Sequence, residues 1–346
     1  MTHFDRLPRW GAQLLLAVVF GVILYGILAP PAVKPPKPPP HLTQTDGELY
    51  LAIMGRMARG EDYYAAAAVE QRTRGYPMFP WFTVRPPALA ELTTGLGGER
   101  GAGILLKLIA VAATIAIVLR LRSWRDSLVF VGAGATVTAL AVSFPANVTL
   151  FHESWAALLI LLSLALWSEE HVAASVLTGV AAVAIRELTL PYLLVMLVMA
   201  IVRRRRTETL AWSAAVLMIV ATLARHARAV EQVRLATDQH SPGWASAGGW
   251  PFILRMMKET TVMGLLPAWC IALLIPVALL GWASWRHPIA LRATAYLCGM
   301  IGAFMLVGRP NNVYWGIIIA PLLPIGLLFA PQALQVLIRR AAGPGT

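Results

Sequence analysis

Charge is scarce in this sequence: Asp, Glu, Lys and Arg make up 13% of its 346 residues, about half the share usual in a water-soluble domain. That deficit excludes an ordinary soluble fold, whose surface needs far more polar cover. Cysteine is nearly missing. Cys270 and Cys298 both lie in apolar runs without C-x-x-C spacing, so no disulfide framework is expected and both read as small core residues. There is no Walker A loop, no Gly-x-Gly-x-x-Gly turn after a strand and no His-Glu-x-x-His, so nothing points to a nucleotide or a zinc ion. No internal repeat is visible, and no soluble domain stands outside the loops.

What the chain has is apolar length. Hydrophobic residues are 58% of it and mean hydropathy is +0.66. A spanning helix needs about 20 apolar residues, and ten candidate spans follow: 10–29, 102–120, 127–144, 153–168, 172–185, 188–202, 209–225, 261–284, 289–307 and 312–330. The expected fold class is all-α, a single polytopic membrane domain over 1–346 with amphipathic helices in its first outer loop. The apolar run from Trp10 to Ala29 is longer than a signal-peptide core and no clear A-x-A site follows, so an uncleaved first span is expected. The fifth and sixth spans are short and parted only by Arg186-Glu187; two thin spans and one broken element both fit.

The formal charge of +12 reads as topology, not as nucleic-acid binding, because the arginines fall between apolar stretches. With the N-terminus cytoplasmic, one side receives Arg6, Arg9, Arg120, Arg122, Arg125, Arg203 to Arg206, Arg286, Arg339 and Arg340. Segments 30–101 and 226–260 then lie outside. The second carries Arg228, Arg234, Arg255 and Lys258 against the rule, which suggests an anionic partner there. In the first outer loop, Lys34 to Pro40 reads as an extended proline-rich spacer. A helix follows from about Leu49 to Gly60, N-capped by Thr45 or Asp46. Leu49, Ile53 and Met57 share one face of it, turned to the membrane surface or the bundle. Tyr63-Tyr64 opens another short helix, and 88–94 a third.

Several polar groups stand out at the outer side. Asp46 and Glu48 open the first loop helix, where the dipole favours a carboxylate; the plainer reading is a cap. Arg186-Glu187 breaks an apolar stretch, and charges at membrane depth are costly unless they pair or serve a site; the plainer reading is an interfacial pair. In Gly308-Arg309-Pro310-Asn311-Asn312, one guanidinium beside two amides suits a phosphate or sugar hydroxyls; the plainer reading is a turn. His152-Glu153 can orient a hydroxyl or shuttle a proton, or simply cap a helix. Arg85, before Pro86-Pro87, and Asp238, His240, Trp244 and Trp250 are weaker candidates.

The stretch Thr45-Asp46-Gly47-Glu48-Leu49-Tyr50, then Gly60-Glu61-Asp62-Tyr63-Tyr64, Tyr76-Pro77 and Arg85-Pro86-Pro87, resembles the Asp…Gly-x-x-Tyr…Tyr-x-Pro-Pro pattern of the GT-C superfamily of membrane glycosyltransferases, in its mannosyltransferase-like branch. The local match covers about 50 residues; the rest matches in topology. The resemblance implies hexosyl or pentosyl transfer from a polyprenyl-phosphate sugar to a glycan, lipid or protein acceptor, outside a bacterial inner membrane. By position, Asp46 becomes the catalytic base and Glu48 an accessory carboxylate. With Glu as second acid the D-x-D likeness is incomplete, so the sequence requires no divalent metal, though it leaves one open. Arg186, Arg309 and Arg85 would meet the donor phosphate, with Glu187, His152, Glu153, Asn311 and Tyr50 nearby. The competing readings are a transporter or flippase of a lipid-linked or anionic solute, for which a broken helix at Arg186-Glu187 would serve, and a non-catalytic subunit of an envelope assembly.

Overall fold

The computed structural model describes residues 2–34, 45–122 and 148–343. The expected span 127–144 and most of the proline-rich spacer lie outside them. The described chain is helical, with no strand and only isolated bridges between extended residues. We number its helices α1 (Arg9–Leu28), α2 (Asp46–Met57), α3 (Tyr63–Thr73), α4 (Ala88–Gly95), α5 (Glu99–Arg122), α6 (His152–Leu166), α7 (Ala173–Ile185), α8 (Leu190–Val202), α9 (Arg206–Val233), α10 (Gly249–Thr260), α11 (Ala268–Ser284), α12 (Pro288–Leu306) and α13 (Leu323–Ala342).

Among the described residues five stretches are long and apolar enough to cross a membrane: Arg9–Leu28, Glu99–Leu121, Arg206–Val233, Pro288–Leu306 and Ala320–Ala342. Four apolar helices are shorter. Among these, α6 is buried almost all round, from His152 to Ala165. Apolar residues on every side make it the centre of the bundle and leave no face for solvent. By contrast, α1 lies at the edge, with Trp10, Leu14, Phe20 and Leu28 exposed. The tightest crossing is α11 on α13. Gly281 and Gly326 let the backbones meet so closely that a Cβ on Gly281 would lie 1.9 Å from the Gly326 carbonyl oxygen. Small residues at such crossings are what lipid-embedded helices use for close approach.

Of the arginines assigned to one side by the sequence, Arg9, Arg120, Arg205 and Arg340 gather at one end of the bundle. Arg9 Nε donates to the Ala341 carbonyl at 3.0 Å, and Arg340 to the Asp5 carbonyl. Arg120 Nη2 donates to the carbonyls of Ala165 and Trp167 at 2.9 and 2.7 Å. Arg205 meets Glu169 at 2.9 Å. The same end holds a buried polar cluster. Arg292 is fully buried, donates to Glu208 at 2.8 Å, and lies 3.8 Å over the Trp167 ring. Trp167 Nε1 donates to the same carboxylate at 2.8 Å.

Several boundaries differ from the expected ones, each for a local reason. The stretch 312–322 is 3-10 helix, not the start of an α-helical span. Pro321 and Pro324 remove backbone donors there, and Gly316 fits so close to Met257 that a Cβ would lie 2.7 Å from its Cε. Helix α9 runs two turns past the expected 225, and α10 was not foreseen although Trp250, Ile253, Met256 and Met257 fall at helical spacing; all four are buried. The expected span 261–284 is interrupted by Pro267, and α11 begins after it. Cys298 is exposed on α12 and not in the core. Segment 172–202 resolves into a hairpin, α7 and α8, turning at Arg186–Thr189. Each arm has 13 residues, about 20 Å of helix, so its turn lies roughly 10 Å short of a full hydrocarbon span.

Removing the charge of Glu208 leaves Arg292 buried without compensation, and breaking a buried pair in this way costs about 3–5 kcal/mol. Glu208→Gln is therefore expected to lower the SDS-unfolding midpoint clearly; an unchanged midpoint would show that the cluster does not carry the fold.

Candidate functional site

At the end opposite the arginines, the short α7–α8 hairpin leaves a recess, walled by the segments 75–85 and 239–244. The resulting cavity is about 870 Å³. Six stretches supply its wall: Asp46 at the head of α2, Tyr76 to Arg85, Phe151 just before α6, Arg186 and Glu187 at the hairpin turn, 239–244, and 307–315.

The start of α2 settles what Asp46 does locally. Thr45, not Asp46, is the N-cap: its hydroxyl accepts from the Glu48 amide at 3.3 Å, and the Glu48 carboxylate accepts from the Thr45 amide at 3.0 Å. This reciprocal box satisfies two of the helix's free donors. It also holds Glu48 in an exposed capping position outside the cavity wall. Asp46 is thereby released from capping, and its Oδ1 instead accepts from the Tyr76 hydroxyl at 2.9 Å. Leu49 and Ile53 are buried against Tyr63, Ala66, Ala67 and Val230, so α2 lies on the bundle and its first turn is fixed in place.

From the hairpin turn a connected polar chain crosses the site. Arg186, only 2% exposed, donates through Nε to Glu153 at 2.6 Å and through Nη1 to Glu187. Glu187 lies 3.8 Å from Arg85. Arg85 donates to the hydroxyls of Tyr50 at 3.1 Å and Tyr314 at 3.3 Å. Asn312 Nδ2 reaches Tyr314 at 3.4 Å, and its Oδ1 accepts from the Arg309 amide at 3.1 Å. Burial pushes the phenols of Tyr50 and Tyr76 well above their ordinary pKa, and the charge of Asp46 adds to this. Both are neutral hydrogen-bonding groups at physiological pH. Burial works against the charge of Arg85, but Tyr50, Tyr314, Glu153 and Glu187 outweigh it and hold the guanidinium protonated.

Of the residues named from the sequence, Asp46, Arg85, Arg186, Glu187, Arg309 and Asn311 line this one cavity. Tyr50, His152 and Glu153 stand behind its wall. His152 packs edge-on against Tyr50 with ring centres 4.9 Å apart, and its Nδ1 is buried without a partner. Glu153 serves as the counter-ion of Arg186. Tyr314 stands in no motif of the sequence. Tyr76 lies in Tyr76-Pro77 and Asn312 beside Arg309, but nothing in sequence spacing shows a phenol 30 residues away reaching Asp46.

The charges are not evenly satisfied. Arg186 is shared by two carboxylates and Arg85 lies near one, whereas Arg309 has no carboxylate partner among the described residues. Its guanidinium lies 5.0 Å from the Trp244 ring centre, and its Nε is buried without a hydrogen-bond acceptor. Glu187 Oε2 and Trp315 Nε1, also on this wall, are buried and unpartnered. Orphaned polar atoms clustered around one hollow are what a site for a polar ligand leaves when no ligand is bound. Among the described residues no group of three His, Cys, Asp or Glu converges that could hold a metal. The loop arginines thought to need an outside anion are partly answered internally: Arg234 pairs with Glu231 at 2.5 Å and Arg255 with Glu259 at 2.7 Å.

The segment 235–247 is stitched over the cavity. Arg72 grips Asp238 with two hydrogen bonds of 2.6 and 2.9 Å. Met78 N donates to the Gln239 carbonyl and Ser241 N to that of Phe79, while Gly308 N donates to that of Trp244. No known protein family, curated protein or solved structure matches the chain.

The hydrogen bonds from Arg72 hold the Asp238 carboxyl below its ordinary pKa. A lowered carboxyl contributes stability above its unfolded value, about 3.9, and loses it as pH falls through the folded value. The latch is therefore expected to be intact at neutral pH and to fail only below about pH 4. Asp238→Asn should mimic that loss at pH 7, raising amide exchange across 235–244; unchanged exchange would dismiss the latch.

Proposed function

We propose that this chain is an integral membrane glycosyltransferase resembling the GT-C superfamily. It takes a sugar from a polyprenyl-phosphate donor and passes it to a hydroxyl of a glycan, lipid or protein acceptor. The reading includes ten spans, with 127–144 among them, a cytoplasmic N-terminus in a bacterial inner membrane, and the cavity on the outer face. The observation that carries it is that one hollow is lined both by a carboxylate freed from capping (Asp46) and by a guanidinium that lacks a carboxylate (Arg309).

The chemistry follows from those two groups. Asp46 takes the proton of the acceptor hydroxyl, and its other oxygen is held in place by Tyr76. The hydroxyl oxygen forms a bond to the anomeric carbon as the bond from that carbon to the phosphate oxygen breaks. A single displacement of this kind inverts the anomeric centre. The bonding pair leaves with the polyprenyl phosphate, which gains negative charge. Arg309 meets that charge, with Arg85 behind it; a preplaced cation costs no reorganisation when charge develops. Arg186 contributes less directly, because Glu153 and Glu187 already neutralise it, and its place is to set the floor. The phosphate is the leaving group, so the site needs no nucleotide pocket.

A carrier reading fares worse. Ionised groups gather at the two ends, and between them α6, α8 and α12 pack Leu159, Leu193, Met196 and Leu297 into a core without exposure. Among the described residues the polar groups in the middle are neutral: the hydroxyls of Ser163, Ser175 and Tyr192, which are hydrogen-bonded together, and the Tyr296 hydroxyl and Trp212 indole packed against Tyr192.

In a transfer assay with synthetic polyprenyl-phosphate sugars, Asp46→Asn is expected to reduce turnover at least about a hundredfold, the scale of a general base; full activity would remove Asp46 from that role. Arg309→Ala is expected to weaken donor binding by about tenfold or more, in line with a lost charged hydrogen bond, with the acceptor KM unchanged. Donor affinity equal to that of the wild type would place the phosphate elsewhere.

A further inference from the structure

Behind the wall of the main cavity lies a second cleft, of about 360 Å³, between α3, the 86–88 stretch, α4, the end of α7 and α9. The two hollows stand back to back. Arg85 faces the first, while Pro86 and Pro87 line the second; on the hairpin, Glu187 faces the first and Ala184 the second. The cleft therefore does not communicate with the proposed transfer site through these residues, and nothing in the transfer chemistry uses it.

Its lining is sorted along α9. Ile219 and Leu223, with Ala184, make an apolar lower part; Arg225 and, from α4, Glu91 stand higher. Beside it α9 presents Leu217, Met218 and Val220 outward, each at least half exposed. Such a surface belongs against lipid tails. At the back, His226 Nε2 lies 3.1 Å from the Val84 carbonyl, so that nitrogen carries the hydrogen, and Nδ1 accepts from the Tyr64 hydroxyl at 3.2 Å. Both rings are thus used up by internal bonds. Arg225 and Glu91 are not. Neither has a hydrogen bond or ion pair among the described residues, and they do not pair with each other, although both charges act on the Tyr64 phenol.

We propose that this cleft holds the head group of an ethanolamine phospholipid of the surrounding bilayer, with the phosphate on Arg225, the ammonium on Glu91 and an acyl chain along Ile219 and Leu223. The charge pattern selects the occupant. The lining carries one cation, one anion and a neutral imidazole, so a zwitterion matches it and an anionic head group meets repulsion at Glu91. A choline head group has no N–H to donate to a carboxylate, whereas a primary ammonium has three. Guanidinium to phosphate is the stronger of the two contacts.

The test uses the full-length protein in detergent, with lipid retention read by native mass spectrometry and the thermal midpoint read after addition of dioleoyl phosphatidylethanolamine, phosphatidylcholine or phosphatidylglycerol. The ethanolamine lipid is expected to be retained at least tenfold over the choline lipid and to raise the midpoint. Arg225→Ala and Glu91→Gln should each remove that preference. Leu223→Trp, which fills the lower cleft without touching either charge, should expel the lipid as well. Equal retention of all three lipids would overturn the proposal. So would preference for the glycerol lipid strengthened by Glu91→Gln, which would mark an anion site. Coupling between Arg225 and Glu91 in lipid-free protein would show that the two merely pair with each other.

Discussion

Arg186, held between Glu153 and Glu187 at the turn of a hairpin too short to span, is the constraint on which the upper half of the structure depends. A buried guanidinium with one counter-ion missing would be costly, because the interior does not replace the lost hydration. The pair with Glu153 fixes the hairpin to α6, the central helix, and the pair with Glu187 extends that fixture to Arg85 on the first loop. Through Arg85 the same network positions Tyr50 on α2 and Tyr314 beyond Arg309. Elements far apart in sequence thus share one set of charges, and the recess they enclose has a defined floor.

The two ends of the bundle use similar residues for different ends. At the arginine end, Arg292 finds both a carboxylate and an aromatic face, and Glu208 is shared with the Trp167 indole. Here the charges neutralise one another and stabilise packing, although Arg292 Nε and Glu208 Oε2 are left without hydrogen-bond partners. At the loop end, Arg309 rests near Trp244 with no carboxylate, and Asp46 keeps one oxygen outside the Tyr76 hydrogen bond. Uncompensated polar groups of opposite sign around one hollow are a liability for folding and an asset for binding. That asymmetry, more than any single residue, favours a site at this end.

Much of this was legible from the sequence. Apolar run lengths pointed to an all-helical membrane chain, although five of the described stretches, not ten, are long and apolar enough to span, and arginine placement sorted the two ends for the arginines whose contacts are described, because both depend on local composition and on the bilayer as solvent. Asp46, Arg85, Arg186 and Arg309 could be named as polar groups at one side. What spacing did not reveal was partnership. Glu48 looked like a second acid, but the capping box with Thr45 claims it, a competition decided by local backbone geometry. Glu153 looked like a site residue and is the counter-ion of Arg186, 33 positions away. Tyr76 and Tyr314 gained their places only when loops 30 and more residues apart met. The 3-10 stretch at 312–322 hid within an apolar run because hydropathy ignores missing proline donors.

The central claim is that a lipid-linked sugar lies with its phosphate at Arg309 and its anomeric carbon toward Asp46. The most direct measurement is a cryo-EM structure with a short-chain polyprenyl-phosphate hexose present. The account predicts phosphate density against the Arg309 guanidinium and the sugar ring between it and the free oxygen of Asp46. Phosphate density at the arginine end, or a sugar turned away from Asp46 with the cavity left empty, would contradict it.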